Sequence, residues 1–159
     1  MSRELLILRH AHAEPLAASG TDIDRPLSAR GEAEADAVGR WLAHQDARLA
    51  RVLSSPAVRA RATAERALAP LQAPAIQFDP RIYEATPGDL LGLLDPAAGE
   101  GATLIVGHNP GFEQLVALLT EGRSGDFRGL PTGGLAWLSL PAQGPLEPGV
   151  AALKAFWWP

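Results

Sequence analysis

Four basic side chains, drawn from three separate segments of the chain, have the chemistry needed to act on an anionic substrate. Arg9 and His10 directly follow one apolar run, His108 directly follows another, and Arg59 lies in the segment "SSPAVRARATAE" between them. A neutral imidazole can attack phosphorus, and an arginine can hold phosphate oxygens with two parallel hydrogen bonds. The combination therefore favours chemistry at a phosphoryl group, with one of the two histidines as a nucleophile.

The His-x-His spacing of His10 and His12 also suits a metal site, and this alternative predicts that chelation abolishes activity. Three observations weigh against it. The chain has 159 residues, fewer than the roughly 250 of the (β/α)₈ barrels in which such a pair begins a metal centre. Besides these two histidines and His108, the sequence offers only His44, which lies toward the end of a predicted helix. The cation of Arg9 would also repel a dication.

The composition restricts the classes of protein and site to which the chain can belong. Apolar residues make up 47% and charged residues 20%, which is ordinary for a globular domain. The net charge of −4, spread along the chain, argues against nucleic acid or an anionic membrane as a partner. There is no cysteine, so disulfides, thiolate metal sites and a cysteine nucleophile are excluded. Because no signal peptide or bilayer-spanning segment is visible, we expect a single cytoplasmic domain over residues 1–159.

Short apolar runs alternate with segments of helical periodicity along most of the chain. Strands are predicted at 5–8, 51–53, 75–78 and 102–107, with two more at 133–140 and 150–158. Helices are predicted at 29–45, from Pro56 to about Leu68 with Ser55 as the N-cap, at 87–94, and after Asn109 with Pro110 in the first turn. The alternation predicts an α/β fold with a mainly parallel sheet covered on both faces. Such sheets bind ligands at the carboxyl ends of their strands, where the basic cluster lies.

Five segments of the chain resemble, in the same order, motifs of the histidine phosphatase superfamily. "LRHAHA" is similar to its Arg-His-Gly signature, with Ala11 in place of the glycine, and "SSPAVRARATAE" resembles its Ser-Pro-x-x-Arg-x-x-x-Thr-Ala block. "VGHNPGFE" resembles its late Gly-His-Asn block, while "DIDRPLSARG" and "LPTGGLAWL" resemble elements of the SixA-like phosphohistidine phosphatase branch. The matches span about residues 5 to 140. The resemblance implies a three-layer α/β/α fold of the phosphoglycerate-mutase type, without a large lid insertion.

The resemblance also implies a role for each matching side chain. His10 would receive the phosphoryl group as the nucleophile, Arg9 and Arg59 would hold its oxygens, and His108 would donate a hydrogen bond to them. Glu84, in "IYEA", is the matching position for an acid that protonates the leaving group, with an ordinary exposed carboxylate as the alternative. The family is metal-independent, so no cofactor is expected.

Two positions beside the nucleophile depart from the family pattern. Ala11 replaces the common glycine, so we expect no positive φ there. His12 stands where many relatives have an acidic or amide residue, and we expect it at the rim of the site, with contact to the substrate as the alternative.

The neighbouring arginines should lower the pKa of His10 by like-charge repulsion and keep it neutral near pH 7.

The space for a lid separates the hypotheses about the substrate. Only 23 residues lie between Glu84 and His108, too few for the long insertion that covers small substrates in larger members of the superfamily. An open groove admits a phosphorylated side chain, so we predict that a monomer dephosphorylates phosphohistidine in a protein and releases inorganic phosphate. The alternatives are a phosphomonoesterase of the same fold that acts on a small phosphate ester, and a non-catalytic phosphate-binding module.

Overall fold

One six-stranded sheet forms the centre of the molecule. A computed structural model describes residues 2–125 and 129–159. The strands are β1 (Arg3–Arg9), β2 (Leu49–Ser54), β3 (Ile76–Phe78), β4 (Gly101–Gly107), β5 (Leu135–Leu140) and β6 (Ala152–Trp157). Across the sheet they lie in the order β3-β2-β4-β1-β5-β6. The first four strands are parallel to one another, while β5 runs antiparallel to β1 and β6 runs antiparallel to β5. The prediction of a mainly parallel sheet is confirmed.

Helices cover both faces of the sheet and complete three layers. Within the described ranges they are α1 (Ala29–His44), α2 (Val58–Leu68), α3 (Pro87–Ala97) and α4 (Gly111–Glu121), and none of them is long and apolar enough to cross a membrane. Side chains of α1 and α2 pack with Leu6 and Leu8 of β1, whereas those of α3 and α4 pack with Leu5 and Ile7. Alternate residues of β1 therefore enter opposite cores. The predicted three-layer α/β/α architecture is confirmed.

The two central strands, β1 and β4, carry apolar residues on both faces, and most of their residues are buried. Leu6 and Leu104 lie opposite each other in the two strands and have no exposed surface. Truncating a leucine in such a position costs about 2–5 kcal/mol. The polar residues that follow these strands are thereby attached to the buried centre of the sheet.

The start of α2 differs from the prediction. The helix begins at Val58 rather than at Pro56, and its N-cap residue, Ala57, makes no side-chain capping bond. The hydroxyl of Ser55 accepts a hydrogen bond from the Ala57 N–H at 3.2 Å, which closes a turn ahead of the helix. The prediction of Ser55 as the N-cap is therefore wrong.

The start of α4 lies one residue beyond the predicted position. The helix begins at Gly111, with Pro110 rather than Asn109 as its N-cap. Asn109 Oδ1 still accepts a hydrogen bond from the Glu113 N–H at 3.2 Å. It therefore satisfies one of the free N–H groups of the first turn, as a capping residue would.

Candidate active site

The register of β1 and β4 brings two histidines to the same edge of the sheet. Arg9 pairs with Gly107 at the ends of these strands, and the backbone N–H of His10 donates to the Gly107 carbonyl at 2.9 Å. The ring centroids of His10 and His108 are consequently 5.1 Å apart. Both side chains are buried. The predicted convergence of these strand ends is confirmed.

The segment after β2 carries Arg59 to the same edge. The backbone N–H of Ser55 donates to the Val106 carbonyl at 3.0 Å, which joins the end of β2 to β4. Arg59 lies in the first turn of α2 and is buried. Thr63, one turn later, donates its hydroxyl to the Arg59 carbonyl at 2.7 Å and accepts from the Ala11 N–H at 2.9 Å. These bonds fix α2 against the turn that follows β1.

The imidazole of His10 is held in one tautomer. Its Nδ1 lies 2.7 Å from the Ala11 carbonyl oxygen, which can only accept a hydrogen bond, so Nδ1 carries the proton and Nε2 bears the lone pair. Burial is the main cause that lowers the pKa of His10 to about 4; the charges of Arg59 and Arg9 act in the same direction, and the bond to Ala11 opposes them. The sequence predicted a lowered pKa of His10 from repulsion by the neighbouring arginines alone, whereas burial contributes more to the lowering. At neutral pH His10 is therefore an uncharged base.

His108 is a second neutral imidazole beside the first. Its Nε2 lies 2.8 Å from the Ser55 hydroxyl, and its Nδ1 is buried with no hydrogen-bond partner among the described residues. Burial, followed by the effects of His10 and Arg59, lowers its pKa to about 3. The ring of Tyr83 packs edge-on against it, with 5.4 Å between the ring centroids. His108 can therefore act as a hydrogen-bond donor to an oxyanion without being charged itself.

Asp22 is one of the residues of this site that sequence reasoning missed. Its carboxylate accepts from Arg59 Nη2 at 2.9 Å, and its backbone carbonyl accepts from Nη1 at 2.7 Å. The same carboxylate accepts from the Tyr83 hydroxyl at 2.5 Å and from Arg25 Nε at 2.9 Å. These donors, Tyr83 foremost, hold the pKa of Asp22 well below its usual range. Asp22 begins an exposed 3₁₀ turn (Asp22–Asp24) with no hydrophobic periodicity, so the only signal in the sequence is the similarity of "DIDRPLSARG" to a known branch.

A cleft of ≈ 350 Å³ opens beside Arg59 and His108. The other residues that line it are Asp22, Tyr83, Glu84, Ala85, Thr86, Asn109, Pro110 and Gln114. Gly111 allows α4 to approach one wall closely, because a Cβ there would lie 2.2 Å from the Ala85 carbonyl oxygen. Glu84 is exposed in the same wall. The structure thus brings the predicted acid to the cleft, and its role as a proton donor stays a prediction.

Arg9, the other predicted phosphate ligand, has partners outside the cleft. Its Nη1 donates to the Leu130 carbonyl at 3.0 Å, and its Nε is buried with no partner in the described part of the chain. Burial lowers the pKa of Arg9, against the effect of the carboxylates of Glu113 and Glu34. Among the residues that the structure describes, the set lining the cleft includes neither Arg9 nor His10. The ring of His10 lies next to that of His108, which does line the cleft. The contacts of Arg9 and His10 with a phosphoryl group stay predictions.

His12 contacts the start of α1. Its Nδ1 lies 2.7 Å from the Ser28 hydroxyl, and its backbone N–H donates to Glu34 Oε1 at 2.8 Å. Gly31 permits this packing, because a Cβ there would lie 1.8 Å from the His12 carbonyl oxygen. The backbone before it is ordinary, since Ala11 has no positive φ, as expected. His12 therefore holds α1 against the turn after β1, and contact with the substrate stays a prediction.

The His-x-His pair has two different sets of partners. Nδ1 of His10 binds the Ala11 carbonyl, whereas Nδ1 of His12 binds the Ser28 hydroxyl. Within residues 2–125 and 129–159, no group of three or more His, Cys, Asp or Glu side chains is arranged to hold a metal ion. In that part of the chain, no third side chain of these types joins His10 and His12 in such an arrangement.

Comparison with known proteins identifies the family. The model of the histidine phosphatase superfamily (branch 1) matches residues 5–102 of this chain. The chain belongs to this superfamily. An uncharacterised protein of Mycobacterium tuberculosis strain H37Rv is 35% identical over 144 residues, which cover 85% of this chain and 89% of that protein.

Two solved structures resemble this member of the histidine phosphatase superfamily over almost its whole length. The protein histidine phosphatase SixA complexed with tungstate has a TM-score of 0.83 and 26% identity, covering 98% of this chain and 96% of its own. A protein provisionally assigned as the phosphohistidine phosphatase SixA of Agrobacterium tumefaciens has a TM-score of 0.85 and 27% identity, covering 100% and 99%. The fold is therefore phosphoglycerate-mutase-like with no large insertion, as predicted. Family and neighbours together support phosphatase activity.

Proposed function

We propose that this protein is a metal-independent phosphatase that removes the phosphoryl group from phosphohistidine in proteins, through a covalent phosphohistidine on His10. The observation that carries the proposal is the 2.7 Å contact between His10 Nδ1 and the Ala11 carbonyl oxygen. Because this contact keeps the proton on Nδ1, the lone pair of Nε2 is free to attack phosphorus. The lowered pKa of His10, about 4, keeps this nitrogen unprotonated at neutral pH without help from a metal ion.

In the first step, His10 Nε2 forms a bond to phosphorus while the bond from phosphorus to the substrate's imidazole nitrogen breaks. When the substrate ring is protonated, the leaving histidine departs as neutral imidazole and the positive charge passes to the ring of His10. The Ala11 carbonyl, which already accepts the Nδ1 proton, stabilises the imidazolium that forms. Arg59 and His108 offset the charge on the phosphoryl oxygens, and we assign the same task to Arg9.

In the second step, water attacks the phosphorus atom and the bond to His10 Nε2 breaks. His10 returns to its neutral tautomer, and dihydrogen phosphate carries away the oxygen and both protons of the water. The chain between Glu84 and His108 consists mainly of α3 and β4, so it holds no large insertion that could cover the cleft. Access of water favours hydrolysis over transfer of the phosphoryl group to a second substrate.

The charges along the cleft favour a leaving group that is neutral or cationic. Among the described residues, Arg59 is the only arginine or lysine that lines the cleft, whereas Asp22 and Glu84 supply two carboxylates. A sugar phosphate with an additional anionic group would be repelled by these carboxylates, and a histidine ring would not. Tyr83 adds an aromatic surface for such a ring. The similarity to SixA, a protein histidine phosphatase, supports the same substrate class.

Trapping of the phosphoenzyme with a panel of substrates tests this proposal. A ³²P-labelled phosphohistidine protein, a phosphoserine protein and a labelled sugar phosphate are each incubated with the enzyme in EDTA. We expect an acid-labile ³²P-protein adduct and rapid phosphate release from the phosphohistidine protein, and only slow release from the two phosphate esters. His10→Ala should form no adduct, whereas His44→Ala, which changes an exposed histidine at the end of α1, should behave like the wild type.

Each alternative gives a different outcome in the same panel. Turnover of the sugar phosphate with none of the phosphohistidine protein would assign the protein as a small-molecule phosphomonoesterase. Phosphate binding with no adduct from any substrate would indicate a non-catalytic module. Loss of activity in EDTA would contradict the metal-independent mechanism, and an adduct that persists in His10→Ala would contradict the nucleophile.

The cellular compartment and the assembly state stay predictions. The absence of cysteine suits a reducing compartment such as the cytoplasm. Cell fractionation and analytical ultracentrifugation would test the two predictions separately.

A further inference from the structure

The guanidinium of Arg59 already binds an anionic group from its own chain. Nη1 donates to the Asp22 carbonyl oxygen at 2.7 Å, and Nη2 donates to the Asp22 carboxylate at 2.9 Å. Nε is buried and has no partner among the described residues. An oxyanion that enters through the cleft therefore reaches the Nη edge of Arg59, which is the edge that Asp22 occupies.

The Asp22 carboxylate can leave Arg59 at limited cost. Its side chain is 53% exposed, whereas that of Arg59 is 5% exposed. Its other oxygen accepts from Arg25 Nε at 2.9 Å, and the Tyr83 hydroxyl donates to the carboxylate from the cleft wall. After separation from Arg59, the carboxylate would keep an ion pair with Arg25 and contact with water. The Arg59 cation, by contrast, needs an anion beside it because it is buried.

We propose that Asp22 is a resident anion of the phosphate site: the phosphoryl group displaces its carboxylate from Arg59, and the carboxylate returns as inorganic phosphate leaves. The proposal rests on the proposed function, because it takes Arg59 as a ligand of the phosphoryl oxygens. Asp22 then compensates the buried charge of Arg59 between turnovers. It also weakens the binding of product phosphate through like-charge repulsion, which favours release.

The resident-anion role and a purely structural role predict opposite effects on phosphate affinity. If Asp22 only orients Arg59, neutralising its carboxylate loosens the guanidinium and weakens the binding of an oxyanion. If Asp22 competes with the oxyanion, Asp22→Asn strengthens binding, because the amide oxygen is a weaker acceptor and does not repel phosphate. The backbone carbonyl that accepts from Nη1 is the same in both proteins.

Calorimetric titration of inorganic phosphate into wild type and variants distinguishes the two roles. We expect Asp22→Asn and Asp22→Ala to bind phosphate on the order of tenfold more tightly than wild type. Asp24→Asn is the matched control, since it makes the same change in charge two residues away. The Asp24 carboxylate accepts from the hydroxyls of Ser19 and Thr21, at 2.8 and 2.7 Å, and we expect its variant to bind like wild type.

The inhibition constant of phosphate in steady-state turnover gives an independent readout, and we expect it to fall by the same factor in Asp22→Asn. Circular dichroism confirms that each variant is folded. If wild type binds phosphate but both Asp22 variants bind it no more tightly than Asp24→Asn, the resident-anion role is overturned and the phosphatase proposal stands. A wild type that neither binds phosphate nor forms the His10 adduct overturns the proposed function, and this role with it.

Discussion

The buried end of the site and its exposed rim are held by different interactions. At the buried end, His10, Arg59 and His108 are 8%, 4% and 9% exposed, and strand ends and the first turn of α2 hold them. At the rim, Asp22 and Glu84 lie in exposed turns and reach water. Burial keeps the imidazoles neutral, whereas exposure lets the rim carboxylates move or exchange protons. Under the proposed mechanism, attack on phosphorus would therefore depend on packing, whereas departure of the leaving group and release of phosphate would depend on groups in contact with solvent.

Of the substitutions considered, a change in the shape of the buried cation of Arg59 should reduce activity most. Arg59→Lys keeps the charge but loses the planar guanidinium that can hold two phosphoryl oxygens at once. We expect kcat/KM for a phosphohistidine protein to fall on the order of a hundred- to a thousandfold. Release of inorganic phosphate measures this loss.

The matched control for this substitution lies two residues further along α2. Arg61 is 63% exposed and pairs with Glu65, so Arg61→Lys should stay within about threefold of wild type. Thermal unfolding of both variants separates an effect on catalysis from an effect on stability. Undiminished kcat/KM in Arg59→Lys would contradict the assignment of Arg59 as a phosphate ligand.

The buried end is also the part that the sequence predicted correctly. Strands as apolar as β1 and β4 must lie between two helical layers, and parallel strands must end at the same edge of the sheet. The convergence of His10, Arg59 and His108 follows from those two constraints. The residue types predicted chemistry at a phosphoryl group, whereas the choice of His10 rather than His108 as the nucleophile came from the family resemblance.

The rim was not predictable in the same way, because a turn has no hydrophobic periodicity. Nothing local indicates that Asp22 pairs with Arg59, which is 37 positions away in the sequence. Ser55 shows a related difficulty, because its hydroxyl had two possible uses. It lies 2.8 Å from His108 Nε2 and also closes the turn at Ala57, rather than capping α2. Tertiary contacts decided both positions, and a single sequence does not record them.

Lowering the pH should affect the contributions of the two regions to the free energy of unfolding in different pH ranges, because their groups have different pKa values. The pKa values of His10 and His108 are lowered from 6.5 to about 4 and about 3, so below pH 6.5 the unfolded chain binds protons that the folded chain does not. The free energy of unfolding is therefore greatest above pH 6.5 and falls as the pH is lowered toward 4. Each histidine contributes on the order of 3 kcal/mol to this loss. Asp22, whose pKa is lowered from 3.8, adds its loss only below that pH.

Urea unfolding between about pH 7.5 and about pH 4.5 measures this dependence on protons. His108→Gln should reduce the slope by about one proton, because its unfolded state gains one titrating group fewer. His44→Gln, which changes an exposed histidine at the end of α1, is the matched control substitution. An identical slope in wild type and His108→Gln would contradict the lowered pKa of His108 in the folded protein.

Glu84→Gln should have the smallest effect on turnover of the proposed substrate, and it tests whether a rim carboxylate donates a proton. A protonated phosphohistidine leaves as neutral imidazole and needs no proton from the enzyme, so we expect kcat/KM to fall by no more than about threefold. An alkyl phosphate leaves through an oxygen that must gain a proton, and a general acid is worth on the order of a hundredfold there. The ratio of the two rates, measured on one preparation, isolates the proton donation.

Glu100→Gln serves as the control, because Glu100 is an exposed carboxylate just before β4, at the opposite edge of the sheet from the site. It should leave both rates unchanged. Equal losses on the two substrates in Glu84→Gln would mean that Glu84 binds or orients the substrate instead of donating a proton. A loss confined to the alkyl phosphate would assign the proton donor to the rim. The buried end would then suffice for phosphohistidine, whose leaving group brings its own proton.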